Sequence, residues 1–207
     1  MRGTFISFEG GEGGGKSTQA ARLAGFLRGV GLDVVETREP GGTKQGEELR
    51  DLLVQGDPDR WSPFSELLLM TAARTEHVNR LIEPALAAGT WVICDRFFDS
   101  TMAYQGIAGE LGLDVVRPLQ MAAIGAAVPD VTFLLDLREE AGLKRAETRG
   151  GAARFEKKDA AFHSKVRDGF LALAAESPER IVVVDAEDTF DAVWGQIESE
   201  MKSRFKL

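Results

Sequence analysis

The chain lacks the features that would place it outside the cell or within a membrane. Its 207 residues include one cysteine, Cys94, so no internal disulfide can form, which is typical of a reducing compartment. No apolar run approaches the roughly 18 residues that a membrane span requires. We expect no secretory signal either, because no basic segment followed by an apolar one stands at the start. The sequence therefore predicts a cytoplasmic protein that does not enter a membrane.

An excess of positive charge is also missing. The formal net charge is −8 at pH 7, which disfavours a nucleic-acid polymer as partner, because the phosphate backbone binds basic surfaces. One segment departs from this balance, since residues 138–167 contain nine Lys or Arg and only five Asp or Glu. This segment is a candidate binding region for a small anion.

Clusters of metal ligands are absent from the sequence as well. Histidine occurs twice, as His77 and His163, and neither has cysteine or histidine neighbours at the spacing of a zinc site. We expect both histidines at helix surfaces. Cys94 lies in the apolar segment 90–95, so we expect a small core residue and not a nucleophile.

The most specific feature present is a glycine-rich segment between a predicted strand and a predicted helix. Residues 4–8 are apolar, residues 10–17 fit the pattern G-x-x-x-x-G-K-[ST], and residues 17–24 have helical composition. Glycines let the chain curl around a triphosphate and present backbone N–H groups, and the helix N-terminus adds further donors. Lys16 would reach the β- and γ-phosphates, and the Ser17 hydroxyl would hold Mg²⁺. The predicted nucleotide contacts in this P-loop are Gly10, Gly11, Glu12, Gly13, Gly14, Gly15, Lys16, Ser17 and Thr18.

Apolar strands alternate with helices along the rest of the chain. Strands are predicted at 4–8, 33–37, 90–95, 131–137 and 181–184, and helices near 45–55, 64–88, 100–106, 114–127, 139–149, 157–175 and 189–203. Pro84 is expected to bend or interrupt the helix that contains it. This alternation predicts an α/β protein with a three-layer P-loop NTPase fold, in which helices flank a five-stranded parallel sheet, as one domain over residues 1–207.

Two missing motifs narrow the class of nucleotide-binding protein. The guanine-binding motif Asn-Lys-x-Asp is excluded because the only asparagine, Asn79, precedes Arg80, and no Asp-x-x-Gly occurs. A GTPase switch is therefore disfavoured. A small-molecule kinase needs a second anion site and arginines that neutralise the transferred phosphoryl group. The candidate arginines are Arg38, Arg74, Arg96, Arg149 and Arg154.

A series of short segments, matching in order and spacing, runs through nearly the whole chain. They are Phe8-Glu9-Gly10 leading into the P-loop, 38–43 (REPGGT), 66–69 (ELLL) with Ala73-Arg74, Asp95-Arg96-Phe97, 100–106 (STMAYQG), Pro129-Asp130 and 142–146 (GLKRA). Together they resemble the thymidylate (dTMP) kinases.

On the phosphate side, this resemblance implies that Asp95 helps Ser17 to hold Mg²⁺, directly or through water. Lys16 and Arg96 would be catalytic, with Arg96 on the acceptor phosphate, and Arg38 would lie alongside the transferring phosphates. Because positions 11–14 of the P-loop carry no arginine, the pattern is similar to the bacterial type, in which lid arginines are catalytic.

The implied lid covers about residues 145–157. Arg149 and Arg154 would reach the transfer site as catalytic residues, while Arg145 would lie over adenine and bind the nucleotide. The glycines at 150–151 would provide the hinge of a mobile lid.

On the acceptor side, Glu12 would face the sugar, Arg74 would contact the base, and the Tyr104 ring would press on the deoxyribose where a 2′-OH would clash. Met70 stands where the family usually stacks a phenylalanine on thymine, and a flexible methionine can still cover a ring. The implied acceptor-binding residues are Glu12, Arg38, Met70, Arg74, Arg96, Ser100, Thr101, Tyr104 and Gln105.

The reaction implied by the resemblance is phosphoryl transfer from ATP to dTMP with Mg²⁺, giving ADP and dTDP, in a homodimer. Two alternatives stay open at this point. One is a kinase for another nucleoside monophosphate or for a deoxynucleoside, although Arg38, Arg74 and Arg96 suit a phosphorylated acceptor better. The other is a non-catalytic ATP-binding module that uses the lid as a switch.

Overall fold

One parallel sheet forms the centre of the structure. The structure, a computed structural model, describes residues 2–147 and 154–207. Within them the strands are β1 (Phe5–Glu9), β2 (Val34–Arg38), β3 (Trp91–Asp95), β4 (Val131–Asp136) and β5 (Ile181–Asp185), in the order β2-β3-β1-β4-β5. All neighbouring pairs are parallel, which confirms the predicted five-stranded sheet.

Helices connect the strands as crossovers. They are α1 (Lys16–Gly29), α2 (Lys44–Val54), α3 (Pro63–His77), a π-helical segment (Val78–Ile82), α4 (Glu83–Ala87), α5 (Phe98–Thr101), a second π-helical segment (Met102–Ala108), α6 (Leu113–Ile124), α7 (Glu139–Glu147), a 3₁₀ turn (Arg154–Lys157), α8 (Ala160–Glu176) and α9 (Phe190–Phe205). None of the helices in the described ranges combines the length and apolar character needed to cross a bilayer.

Side chains of the strands alternate between two hydrophobic cores, one on each face of the sheet. Ile6 and Phe8 of β1 point to the core formed with α1 and α9, while Phe5 points to the core formed with α3, α6 and α8. Cys94 is fully buried in the second core, as expected from its apolar surroundings. The helix–sheet–helix layering confirms the predicted three-layer fold.

Local capping explains where several helices begin. The side chains of Thr43, Ser62, Asp159 and Thr189 each accept a hydrogen bond from the backbone N–H three residues later. Pro84 was expected to bend or interrupt its helix, and the α-helix is indeed interrupted by a π-helical segment directly before it, so that Pro84 lies in the first turn of α4. A proline is tolerated there because its missing N–H would need no partner within the helix.

Two glycines bring α7 against the P-loop. A Cβ built on Gly13 would lie 2.0 Å from the carbonyl oxygen of Gly142, and one on Gly142 would lie 2.3 Å from that of Glu12. Gly13 also has φ of 71°, which favours glycine. The backbone of the loop and the backbone of the helix are therefore in direct contact, with no side chain between them.

We expect Gly142→Ala to destabilise the fold by about 1–3 kcal/mol, the usual cost of overpacking, although alanine is the better helix former. Gly25→Ala is the matched control, because Gly25 is exposed in α1 and its added Cβ would meet no atom within 4 Å. That control should gain roughly 0.5–1 kcal/mol. Urea unfolding of both variants checks this expectation, and equal or greater stability of Gly142→Ala would contradict it.

Candidate active site

The P-loop follows β1 and leads directly into α1. Gly15 caps the helix in a left-handed conformation, and Lys16 is its first residue. The Lys16 Nζ donates to the carbonyl oxygen of Gly11 at 2.6 Å, and the side chain is 7% exposed. Burial and the neighbouring charge of Arg96 lower the pKa of Lys16 to about 8. The ammonium group is thus held inside the curl of the loop, where a phosphate oxygen would lie.

The next two residues, Ser17 and Thr18, lie in the first turn of α1 with exposed side chains. The Ser17 hydroxyl donates to Oδ2 of Asp95, which ends β3. A hydroxyl and a carboxylate in contact are a pair of hard oxygen ligands, which suits Mg²⁺ when substrate phosphates and water complete its shell. Among the described residues there is no cluster of three or more His, Cys, Asp or Glu that could hold a metal by itself. The pair therefore fits a Mg²⁺ that arrives with a nucleotide.

Arg96 follows Asp95 and turns back over the P-loop. Its φ of 69° is unusual for a residue with a side chain and is the kind of local strain found at functional sites. The guanidinium donates to Glu12 Oε1 at 2.8 Å and to the Gly10 carbonyl oxygen at 2.9 Å. Burial acts to raise the pKa of Glu12, but the charges of Arg96 and Lys16 outweigh it and lower the pKa to about 2. Glu12 is therefore ionised throughout the neutral range.

Glu9, at the end of β1, behaves in the opposite way. Glu9 is fully buried. Its carboxyl oxygens form hydrogen bonds with the Phe97 backbone N–H at 2.7 Å and with the Ser100 hydroxyl at 2.5 Å. Burial and the nearby carboxylate of Asp99 raise the pKa of Glu9 to about 8. A largely neutral Glu9 thus supports the turn that carries Arg96.

A pocket of about 190 Å³ opens between the P-loop and the helices that follow β2 and β3. Its walls are formed by Glu12, Glu39, Pro40, Arg50, Val54, Met70, Arg74, Arg96, Phe97, Ser100, Thr101, Tyr104, Gln105 and Phe155. The Tyr104 hydroxyl donates to Glu12 Oε1 at 3.1 Å, so the pocket and the P-loop share a hydrogen-bonded wall.

Comparison with known proteins decides the family. The thymidylate kinase family model matches residues 8–197. A curated thymidylate kinase of Caulobacter vibrioides is 52% identical over 206 residues, covering 100% of this chain and 99% of that protein. One of Magnetococcus marinus is 48% identical over 208 residues, covering 99% and 98%. The crystal structure of thymidylate kinase from Ehrlichia chaffeensis matches with a TM-score of 0.76 at 35% identity, covering 97% of this chain and 99% of that one.

The chain belongs to the thymidylate kinase family.

The pocket brings together eight of the nine residues that the family resemblance assigned to the acceptor. The exception is Arg38, whose guanidinium pairs with Glu47 at 2.9 Å and does not line the pocket. Arg74 is almost completely enclosed, and it donates to Glu39 at 2.7 Å, to Thr101 at 3.0 Å, to Gln120, and to the Phe97 carbonyl oxygen at 3.1 Å. Most of its donors are thus used within the protein. The substrate contacts of these residues stay predictions.

The three arginines predicted for the lid differ in what the structure says about them. Arg149 and the glycines at 150–151 lie outside the described residues. Arg154 is 1% exposed and donates to the carbonyl oxygens of Leu53 at 2.9 Å and Pro58 at 2.8 Å, and to Glu66. Arg145 donates to the carbonyl oxygen of Ala186 at 3.1 Å. The structure therefore holds Arg154 against α2 and α3, and its catalytic role stays a prediction.

The expectation that both histidines lie at helix surfaces was wrong. His77 is fully buried, with Glu39 at 2.9 Å from Nδ1 and Thr37 at 2.7 Å from Nε2. His163 is 5% exposed, and its Nε2 is buried with no hydrogen-bond partner among the described residues. The sequence contained no signal for this, because burial depends on which elements pack together and not on the neighbours in the chain.

Sequence reasoning also missed pocket residues of this thymidylate kinase family member. Arg50 reaches the pocket from α2 and donates to the Pro40 carbonyl oxygen at 2.7 Å. Burial and the charge of Arg38 lower the pKa of Arg50. Glu39, which also lines the pocket, pairs with both Arg74 and His77. The segment that contains Glu39 was recognised, but the family resemblance assigned no role to that residue.

We expect Glu9→Gln to remove a pH dependence of stability. A carboxyl group whose pKa is raised on folding favours the folded state below its unfolded pKa of 4.5, and that contribution is lost as pH rises through about 8. The amide resembles the neutral acid and does not titrate. Between pH 5 and 9 the wild type should therefore lose stability relative to Glu9→Gln, by a few kcal/mol at about 1.4 kcal/mol per pKa unit.

Urea unfolding at five pH values between 5 and 9 provides the measurement. Glu83→Gln is the control, because pairing with Arg2 lowers the pKa of Glu83 and it stays ionised across this window. Its difference from the wild type should be constant. A constant difference for Glu9→Gln as well would contradict the expectation.

Proposed function

We propose that this protein transfers the γ-phosphoryl group of ATP to dTMP, giving ADP and dTDP, as a nucleoside monophosphate kinase. The observation that carries the proposal is the shared wall between the P-loop and the pocket. Glu12 and Arg96 line the pocket, Glu12 belongs to the loop, and Arg96 donates to Gly10 of the same loop. An acceptor phosphate beside Arg96 would therefore lie next to the terminal phosphate of a nucleotide bound in the loop.

The attacking group would be a phosphate oxygen of the acceptor. A phosphate monoester has a second pKa of about 6, so it is largely dianionic at neutral pH and needs no strong general base. Catalysis is then a matter of positioning and of charge stabilisation. Arg96 provides the fixed positive charge because Glu12 and the Gly10 carbonyl oxygen hold its guanidinium in one orientation. Lys16 provides the second positive charge from the loop.

Mg²⁺ would be held by the Ser17 hydroxyl and the Asp95 carboxylate, either directly or through water. When bound, the ion would neutralise charge on the β- and γ-phosphate oxygens. The support for this assignment is the contact between the Ser17 hydroxyl, in the first turn of α1, and the Asp95 carboxylate at the end of β3.

The lid is proposed to supply the remaining positive charge, with Arg149 and Arg154 at the transfer site and Arg145 at adenine. For Arg154 this requires the guanidinium to leave Leu53, Pro58 and Glu66, which hold it in the structure.

Selection of dTMP is proposed to depend on the walls of the pocket. Tyr104 is 6% exposed, with its ring among Phe155, Phe162 and Phe170, so it has little freedom to move away from a 2′-OH. Met70 would cover one face of the base, and Thr101 and Gln105 would lie at its edge.

The proposed setting is a cytoplasmic homodimer of one-domain chains. Phe64 and Leu68 are 50% and 46% exposed and stand four residues apart on α3, so they form an apolar stripe on the outside of a long helix. A second copy of the chain would cover such a stripe.

A coupled ADP-release assay tests the reaction, with ATP, Mg²⁺ and, in parallel, dTMP, dUMP, UMP, AMP or thymidine as acceptor. We expect fast turnover with dTMP, slower turnover with dUMP and almost none with UMP, because of Tyr104. Fastest turnover with another acceptor would keep the kinase and change its substrate. ATP binding without transfer to any acceptor would favour the switch module.

Lys16→Ala and Arg149→Ala are expected to lower kcat strongly while the chain stays folded. For an arginine that stabilises transferred charge, the loss is about 10³–10⁵-fold. Arg22→Ala is a suitable control, because Arg22 pairs with Asp191 on the outer side of α1. If Arg149→Ala and Arg154→Ala both kept kcat within a few-fold of the wild type, the lid assignment would be wrong.

A further inference from the structure

Glu66 joins two elements that border the acceptor pocket. It lies in the first turn of α3, and its side chain is 13% exposed. One carboxylate oxygen accepts from the Gln105 amide nitrogen at 2.8 Å, and the other accepts from the Arg154 guanidinium. A single carboxylate therefore links the π-helical segment that carries Gln105 with the 3₁₀ turn (Arg154–Lys157) at the end of the proposed lid.

Arg154 keeps the Glu66 carboxylate in place. Besides Glu66, it donates to the Leu53 and Pro58 carbonyl oxygens and packs over the Phe155 ring, with 4.6 Å from Cζ to the ring centroid. A planar guanidinium with all three nitrogens bound cannot rotate without losing several hydrogen bonds. The orientation of Glu66 is thus fixed from the side opposite to Gln105.

This arrangement fixes the orientation of the Gln105 amide. A carboxylate only accepts hydrogen bonds, so the amide nitrogen of Gln105 must face Glu66 both while Arg154 is paired with that carboxylate and after Arg154 moves to the transfer site. The carbonyl oxygen Oε1 must then face the other way. Within the described residues nothing donates to Oε1, and it is not one of the fully buried atoms that lack a partner. Gln105 lines the pocket, so its free oxygen is accessible from there.

We propose that Glu66 is a positioning residue for base selection, which holds Gln105 so that its carbonyl oxygen faces the base. This inference rests on the proposed function. An oxygen acceptor at the base edge matches thymine or uracil, whose N3 carries a hydrogen. Cytosine presents an unprotonated N3 at the same position, which would leave two acceptors facing each other. The Glu66–Gln105 pair therefore selects against cytosine nucleotides.

The test compares dTMP and dCMP as acceptors for the wild type and Glu66→Gln. In this variant Arg154 would donate to the amide oxygen of the glutamine that replaces Glu66. The amide nitrogen of that glutamine would then face Gln105. Gln105 would then turn over and present its nitrogen to the base. We expect the ratio of kcat/KM for dTMP over dCMP to fall at least tenfold, with a higher KM for dTMP and a lower one for dCMP.

Two further variants make the outcome decisive. Glu76→Gln removes an ion-paired carboxylate from the same helix, where Glu76 pairs with Arg80 on the surface, and it should keep the wild-type ratio. Gln105→Met keeps the Glu66–Arg154 pair and removes the amide. It should lower the ratio by itself, and Glu66→Gln should have no further effect on the ratio in that background.

The outcomes separate this inference from the proposed function. If the wild type phosphorylates dTMP selectively and Glu66→Gln keeps its ratio, the positioning role is wrong and the function stands. If Glu66→Gln does not fold, Gln105→Met still tests whether the amide selects the base, and an unchanged ratio in that variant overturns the inference. If the wild type does not phosphorylate dTMP, the proposed function itself fails.

Discussion

The parallel pairing of β1 with β3 is the constraint on which the site depends. Phe8 lies opposite Asp95 in this pairing, so the two strands end side by side at the carboxyl edge of the sheet. The P-loop begins where β1 ends, and Asp95-Arg96 stands where β3 ends. Because β1 has β3 on one side and β4 on the other, a crevice opens at this edge, where ligands bind in open α/β sheets. Residues about 80 positions apart thereby become neighbours, as in the bond between Ser17 and Asp95.

Two carboxyl groups near this edge show how environment assigns opposite charge states. Glu9 is buried beside another carboxylate, Asp99, and a neutral form is favoured. Glu12 lies three residues further along the chain but between Arg96 and Lys16, so an ionised form is favoured. The separation of their pKa values follows from desolvation in one case and from neighbouring positive charge in the other. Neutral Glu9 supports the backbone turn, and charged Glu12 orients the guanidinium on it.

The sequence predicted the layers of the fold and the identity of most of the pocket residues, for different reasons. The spacing of apolar residues and the positions of glycines reflect local chemistry. The strands and the P-loop could therefore be predicted from the sequence alone. Only the family resemblance predicted that one pocket would contain Tyr104, Met70 and Arg74. The burial of His163, the enclosure of Arg154 and the bridging by Glu66 were not predictable, because each depends on contacts between elements far apart in the sequence.

Lys16 and Arg96 each have a hydrogen-bond partner inside the protein, and this affects which anions the P-loop can bind. In the structure the Lys16 Nζ lies 2.6 Å from the Gly11 carbonyl oxygen, and the Arg96 guanidinium lies 2.8 Å from Glu12. An incoming anion must displace these internal hydrogen bonds. The net binding free energy is therefore only the difference between the bonds that the anion forms and the bonds that it displaces. A triphosphate chain has more oxygens that can accept from the backbone N–H groups of the loop, so it offsets more of the bonds that it displaces than a single phosphate does. The loop thus favours a polyphosphate chain over a single phosphate or sulfate.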